Sequence, residues 1–111
     1  MKITTRQNGG VTILEPQGKI TIGAGDVELR DAVLAQLEAG NTHLLMDMSG
    51  VSTMDSSGIG ELVAAYTSVN NRGGKLKLLN LPPKITDILQ ITQLITVFEV
   101  FDDEAEAVAS Y

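Results

Sequence analysis

The stretch THLLMDMSGVSTMDSSGIGELVAAY, residues 42–66, has the pattern of a buried strand, a turn and a one-sided helix in succession. Residues 42–48 contain an apolar run that is too short for a free-standing helix, and such a run is typical of a buried strand. After Asp55 the apolar side chains recur at the i, i+3, i+4, i+7 spacing of a helix with one buried face. They are Ile59, Leu62, Val63, Tyr66 and Val69. The stretch therefore predicts a strand that leads through a serine-containing turn into a helix.

The alternation of strands and helices continues on both sides of this stretch. Asn8-Gly9-Gly10 separates two segments with strand character, residues 2–7 and 11–18, and predicts a hairpin. Residues 19–25 are predicted to form a loop, and Asp26 is predicted to cap a helix that ends at Gly40. The apolar stripe of that helix is Leu29, Val33 and Leu37, with Ala32 beside it.

The carboxyl-terminal third completes the pattern. Its predicted elements are a strand over 75–80, a helix that begins at Pro82-Pro83, a strand over 97–101 and a helix after Asp102. Strand–helix–strand units imply mostly parallel pairing with right-handed crossovers. We therefore predict one α/β domain over residues 1–111, with a mixed, mostly parallel sheet of about five strands and about four helices mainly on one face.

Composition excludes several classes of function. The 8 Lys and Arg residues against 14 Asp and Glu give a net charge of −6, which argues against a nucleic-acid partner. Without cysteine the chain can form no disulfide, thiolate metal site or cysteine nucleophile. A single histidine, His43, offers neither a triad nor a metal cluster, so no metal or cofactor is expected. No apolar run of signal-peptide or membrane-span length is present, which predicts a cytoplasmic protein without a membrane partner.

The turn at Ser56 and Ser57 combines features that a helix start alone does not need. The first N–H groups of a helix lack backbone partners, and a serine hydroxyl can accept from them, so one of these serines is expected to be the N-cap. Gly58 and Gly60 each cost a helix interior about 1 kcal/mol relative to alanine. Glycine allows close approach of another chain, and departures from helix rules are typical of functional sites.

A helix N-terminus also stabilises anions. A phosphoryl group on one of the serines would lie beside free N–H groups and would add about −1.5 to −2 charge at neutral pH. Asp47, Asp55 and Glu61 would repel that charge, and a partner docked over the Gly-Ile-Gly surface would meet a bulky dianion. The turn therefore predicts a switch that acts at an interface.

Other chemistries fit these residues less well. The spacing is not G-x-S-x-G, and hydrolysis would need a histidine base. Residues 23–26 lack the third glycine of a dinucleotide fingerprint, and residues 72–75 lack the first glycine and the Ser/Thr of a P-loop. A nucleotide-binding domain or an enzyme that uses the helix start as an anion site stays open as an alternative.

Several segments of the chain together resemble the STAS domain, the family of the anti-sigma-factor antagonists and of the cytoplasmic domains of sulphate transporters. The segments are LLMDMSGV (44–51), STMDSSGIGEL (52–62), RGGKLKLLNLPPKITDIL (72–89) and QLITVFEVF (93–101). The resemblance is to the stand-alone antagonists. It implies a bacterial phosphoprotein that, when unphosphorylated, binds an anti-sigma factor and so releases a sigma factor for transcription.

The resemblance also implies how the switch works. The anti-sigma factor would be a serine kinase that holds ATP and phosphorylates the antagonist, which then dissociates. A metal-dependent serine phosphatase would restore it. The chain would thus be a kinase substrate and binding module rather than an enzyme, and a monomer when free.

Individual roles follow from the family's Asp-Ser-Ser/Thr-Gly pattern. The phosphate acceptor is the hydroxyl directly after the aspartate, which is Ser56 here, with Ser57 as the alternative acceptor and otherwise the cap. Asp55 would set the turn. Gly58, Ile59 and Gly60 would form part of the partner surface, together with Asp55, Ser56 and Ser57.

Two further positions come from the same resemblance. Asp47 matches a common acid of the family and is expected to bond loop N–H groups. Related antagonists often carry an acid shortly after the Gly-x-hydrophobic of the second strand, but here Thr21 follows Gly18-Lys19-Ile20 and the first acid is Asp26. Thr21 is therefore expected to face the partner. This departure leaves open an interaction module of another partner-switching or sensory complex.

Overall fold

The computed structural model describes residues 1–111 and contains six strands, four helices and one short 3₁₀ turn. The strands are β1 (Lys2–Asn8), β2 (Val11–Ile20), β3 (His43–Asp47), β4 (Val51–Met54), β5 (Lys75–Leu79) and β6 (Val100–Phe101). The helices are α1 (Asp26–Glu38), α2 (Ser56–Asn71), α3 (Pro83–Ile91) and α4 (Glu104–Ala109), and the 3₁₀ turn is Leu94–Thr96.

The sheet is mixed and mostly parallel. Its order is β1-β2-β3-β5-β6, with β1 antiparallel to β2 and the other neighbours parallel. The ten-residue strand β2 has two parallel partners along its length: Thr12–Leu14 pair with β3, and Gly18–Ile20 pair with β4. The predicted fold class is confirmed, and the sixth strand is β4, which the sequence analysis did not predict.

Side-chain alternation along the strands divides the apolar residues between the two faces of the sheet. One face packs against α1, α2 and α3 in a core of 18 buried residues, which includes Leu29, Leu62 and Ile85. The other face carries a core of five buried residues and is covered by α4 through Ala107. Three helices therefore lie on one face and one on the other, as predicted.

The predicted hairpin and the predicted buried stripe of α1 are both confirmed. The Gly9-Gly10 hairpin forms, with both glycines at positive φ, and the predicted stripe of α1 is buried. Asp26 is the first residue of α1 rather than its cap, because Gly25 occupies the cap position. The last strand is shorter than predicted, since only Val100 and Phe101 pair with β5.

The pairing of β2 with β4 positions the serine turn. Ile20 lies opposite Met54 at the carboxyl ends of these parallel strands. The chain leaving Ile20 forms the loop before α1, and the chain leaving Met54 enters α2 after one residue. The loop at residues 21–25 and the start of α2 therefore emerge side by side.

Candidate functional site

The start of α2 is capped by Asp55 and not by a serine. The Asp55 Oδ1 atom accepts a hydrogen bond from the Gly58 N–H at 2.9 Å, and the Asp55 carbonyl accepts from the Ile59 N–H at 3.0 Å. Ser56 is already the first helical residue. The expected serine cap is therefore wrong, because a carboxylate in the cap position satisfies the N–H three residues on.

The second oxygen of the Asp55 carboxylate joins the helix start to the neighbouring loop. Asp55 Oδ2 accepts from the Ile22 N–H at 3.0 Å. The bonds from Ile22 and then from Gly58 hold the pKa of the Asp55 carboxyl below its usual range, since donors to a carboxylate favour its charged form. Asp55 is therefore ionised at neutral pH and fixes two backbone segments at once.

The two serines differ in accessibility. The Ser56 side chain is exposed, whereas Ser57 is half-buried. Neither hydroxyl has a hydrogen-bond partner within the chain, since the cap bond comes from Asp55. One turn further along the helix, Ser56 is followed by Gly60 and Ser57 by Glu61. The surroundings of Ser56 are therefore the more open of the two.

The two glycines of the motif have different surroundings. Gly58 is buried, and a Cβ atom on it would lie 1.9 Å from the Ile20 carbonyl oxygen. Gly60 is exposed, and a Cβ atom there would meet nothing within 4 Å. Ile59, between them, is half-buried and packs against the main core. Of the predicted Gly-Ile-Gly surface, Gly60 is open to solvent and Gly58 lies beneath it against β2.

The loop at residues 21–25 contributes Thr21 and a residue that the sequence analysis missed, Ile22. Thr21 is half-buried, and its carbonyl accepts from the N–H groups of Ala24 at 3.0 Å and Asp26 at 3.3 Å. Ile22 is 73% exposed. An isoleucine inside a predicted loop was the available signal, but a pattern of residues does not tell whether such a side chain is buried.

The charges around the turn are partly compensated. Glu61 accepts both a 3.1 Å hydrogen bond and a second bond from the Arg30 guanidinium of α1, so its charge is offset. Asp47 accepts from the Ser49 N–H at 3.0 Å, which confirms the expected bond to a loop N–H. Asp55 has no cationic side chain within ion-pair distance. The repulsion expected from Glu61 is therefore weakened, and Asp55 is the uncompensated carboxylate beside Ser56.

Three or more His, Cys, Asp or Glu side chains nowhere group as ligands for a metal ion would. None of the four helices combines the length and the apolar character that a membrane span requires.

Comparison with known proteins finds relatives of similar length. The anti-sigma-B factor antagonist of Bacillus subtilis (strain 168) is 29% identical over 100 residues, which are 90% of this chain and 90% of that protein. A crystal structure of a Thermotoga maritima protein superposes with a TM-score of 0.89 at 23% identity, over 97% of this chain and 92% of that one. SpoIIAA, a Bacillus cell fate determinant solved in its phosphorylated form, has a TM-score of 0.74 at 19% identity and covers 98% of each chain.

The structural likenesses concern the fold, and the family assignment rests on the sequence. Residues 2–107 match the sequence profile of the STAS domain, which is nearly the whole chain. The match includes the β2–β4 pair, the 21–25 loop and the capped start of α2 described above. This chain belongs to the STAS domain family.

Proposed function

We propose that this protein is an anti-sigma factor antagonist, which binds an anti-sigma factor while Ser56 is unphosphorylated and dissociates from it when Ser56 is phosphorylated. The observation that carries the proposal is the exposed, unbonded Ser56 hydroxyl at a helix start that Asp55 already caps. The name of the Bacillus subtilis relative supports the class of partner. The phosphorylated form of SpoIIAA, a protein of the same fold, supports the kind of switch.

Ser56 is favoured over Ser57 by its surroundings. Gly60, one turn after Ser56, has no side chain that could crowd a phosphate on the exposed Ser56, and a Cβ atom on Gly60 would meet no other part of the chain within 4 Å. A phosphate on the half-buried Ser57 would lie one turn from Glu61, whose side chain is only 13% exposed. Arg30 offsets the Glu61 charge, so the two serines differ mainly in space, and the half-buried Ser57 leaves less room for a phosphate than the exposed Ser56. Ser57 is therefore the less favourable acceptor.

The partner proteins catalyse both the phosphorylation and the dephosphorylation. A serine kinase, which we propose is the anti-sigma factor itself, transfers the γ-phosphoryl group of ATP to Ser56 Oγ. The O–P bond to Ser56 forms as the bond to ADP breaks, and the hydroxyl proton passes to a base of the kinase. A metal-dependent phosphatase hydrolyses the ester. This chain supplies the acceptor and the surface, acts in the cytoplasm and has no catalytic role.

The phosphate acts at the surface of the domain. It adds about −1.5 to −2 charge beside the ionised Asp55, which no cation neutralises. Like charges brought together at an interface oppose binding, and the phosphate also adds bulk to the exposed surface at Ser56. We therefore expect binding to fall without refolding of α2.

The first experiment is fragmentation mass spectrometry of the intact protein from its own cells. The expected result is one phosphoryl group on Ser56. Ser56→Ala should bind the anti-sigma factor and resist the switch, Ser56→Asp should bind about tenfold or more weakly, and Ser57→Ala should still be switched. A phosphate on Ser57 alone would reassign the acceptor. Unmodified protein in all growth conditions, together with full binding by Ser56→Asp, would refute the switch.

A further inference from the structure

Beside Ser56 the chain exposes a large apolar side chain that its own fold does not need. Ile22 is 73% exposed at the tip of the 21–25 loop, and Val27, in the first turn of α1, is 49% exposed. Burial of an isoleucine side chain is stabilising, and most of that contribution is unused in the free domain because the side chain is exposed. The domain exposes one other isoleucine more fully, Ile91 at the end of α3, which is 82% exposed.

Hydrogen bonds brace the loop that carries Ile22. Its backbone closes on itself through the Ala24 N–H to Thr21 carbonyl bond at 3.0 Å, and the Asp26 carboxylate accepts from the Gly23 N–H at 3.1 Å. Asp55 holds the Ile22 N–H from the other side at 3.0 Å. A side chain presented by an ordered loop binds with less loss of entropy than one on a flexible loop.

Neither carboxylate that holds this loop forms an ion pair with a basic side chain. Asp26 and Asp55 each bond loop N–H groups, and neither forms an ion pair with a Lys or Arg side chain. The apolar tip at Ile22 is thus flanked by two negative charges. Asp55 has no ion-pair partner, and Arg30, one turn along α1, attracts Asp26 without forming an ion pair with it. A complementary surface would be an apolar pocket with Lys or Arg at its rim.

We propose that Ile22 is the apolar anchor of the partner interface, that it enters a pocket rimmed by basic side chains on the anti-sigma factor, and that Asp55 is the positioning residue that holds it there. The proposal rests on the proposed function, because it assigns the partner's contact to the surface beside Ser56. Asp55 is adjacent to Ser56 in the chain and bonds Ile22, so a phosphate on Ser56 adds charge next to the group that positions the anchor.

The first test compares Ile22 with Ile91, an exposed isoleucine on a different element. p-Benzoylphenylalanine is placed at position 22 or position 91, and the adducts formed in the source cells are identified by mass spectrometry. The expected adduct at position 22 is an anti-sigma factor, attached through an apolar segment with Lys or Arg nearby, and it is lost when Ser56→Asp is added. An adduct with a second copy of this chain or with lipid would overturn the proposal.

Affinity measurements with that purified anti-sigma factor give the magnitude. Ile22→Ser should weaken binding about tenfold or more, as expected of a buried apolar anchor, while Ile91→Ser should change it by less than about twofold. Equal affinities of these two variants would overturn the anchor. If the two affinities were equal but Ser56→Asp still weakened binding, the proposed switch at Ser56 would stand and only the role of Ile22 as an anchor would be wrong.

Asp55→Asn tests the positioning role separately from the cap. Asparagine is as good an N-cap as aspartate, so its amide oxygen can keep the bond from Gly58 while its NH₂ group replaces the acceptor of the Ile22 N–H. The expected variant folds normally, exchanges its Ile22 amide hydrogen faster and binds more weakly. Unchanged Ile22 exchange and unchanged binding would overturn the role of Asp55.

Discussion

Replacing Gly58 by alanine would place a methyl group against the backbone of β2. The new Cβ would lie 1.9 Å from the Ile20 carbonyl oxygen and 3.1 Å from the Ile20 Cγ2, whereas ordinary contact begins at 3.4 Å. The obstacle at 1.9 Å is backbone at the end of a paired strand, so a side-chain rotation cannot remove it. Overpacking of this kind costs about 1–3 kcal/mol and sometimes more.

The net effect can be worked out by comparing this cost with the gain in helix propensity. Alanine is favoured over glycine in a helix interior by about 1 kcal/mol, which offsets part of the clash at position 58. Because the contact at 1.9 Å is with backbone, we place the clash at the upper end of that range, about 3 kcal/mol. Subtracting the propensity gain leaves an expected loss of about 2 kcal/mol in the free energy of unfolding, which corresponds to roughly 8 °C in Tm for a domain of this size. Urea unfolding followed by circular dichroism gives the free energy directly.

Gly60→Ala is the matched control because it makes the same chemical change two residues away. Its Cβ would meet nothing within 4 Å, so we expect a gain of about 0.5–1 kcal/mol from propensity alone. If both variants changed stability equally, or if Gly58→Ala were as stable as the wild type, the contact between Gly58 and Ile20 would not be what requires glycine.

The remaining predictions concern Asp55, Lys77 and Ser56. The folded state lowers the pKa of Asp55, so the ionised carboxylate contributes stability above its ordinary pKa, and this contribution is lost as the pH falls through the folded pKa. Asp55→Asn should therefore flatten the acid side of the stability–pH curve, measured by urea unfolding from pH 7 to pH 3, and an unchanged curve would contradict this. The buried Lys77 ammonium donates to the Ser110 carbonyl at 2.9 Å and to Ser110 Oγ at 2.8 Å, just after α4. Lys77→Met should therefore accelerate amide exchange in α4 and leave exchange in α2 unchanged, and uniform acceleration would count against a local role. Phosphorylation of Ser56 should shift Tm by no more than about 4 °C, because the favourable interaction of the phosphate with the helix dipole opposes its repulsion by Asp55. A much larger loss, measured by calorimetry, would indicate that the phosphate refolds the turn.

The sequence predicted those elements whose residues carry a complete local signal. The stripe of α1 repeats over three turns, and the Asn8-Gly9-Gly10 turn fits a two-residue hairpin at positive φ. β4 has no such signal, because only its end residues Val51 and Met54 are buried and Ser52 between them is exposed. That strand exists through parallel pairing with the far half of β2, which is a tertiary contact.

The candidate site was predictable in its residues but not in the division of roles among them. Asp55 and Ser56 are both residue types that cap helices, and which one does so depends on where the strand before the helix ends. β4 ends at Met54, so Asp55 takes the cap position and Ser56 begins the helix. The exposure of Ile22 could not be predicted either, because it depends on how the 21–25 loop leaves β2.

The reassigned cap has a consequence for a switch at this site. If a serine hydroxyl capped α2, phosphorylating it would change the group that bonds the first N–H groups of the helix, and the modification would act on the helix start itself. With Asp55 as the cap and Gly58 fixing the helix against Ile20, the Ser56 hydroxyl has no structural role to lose. A phosphate there alters the charge and shape of the surface that Ile22 and Gly60 expose. The fold thus separates the part of the motif that holds α2 in place from the part that we propose a kinase modifies.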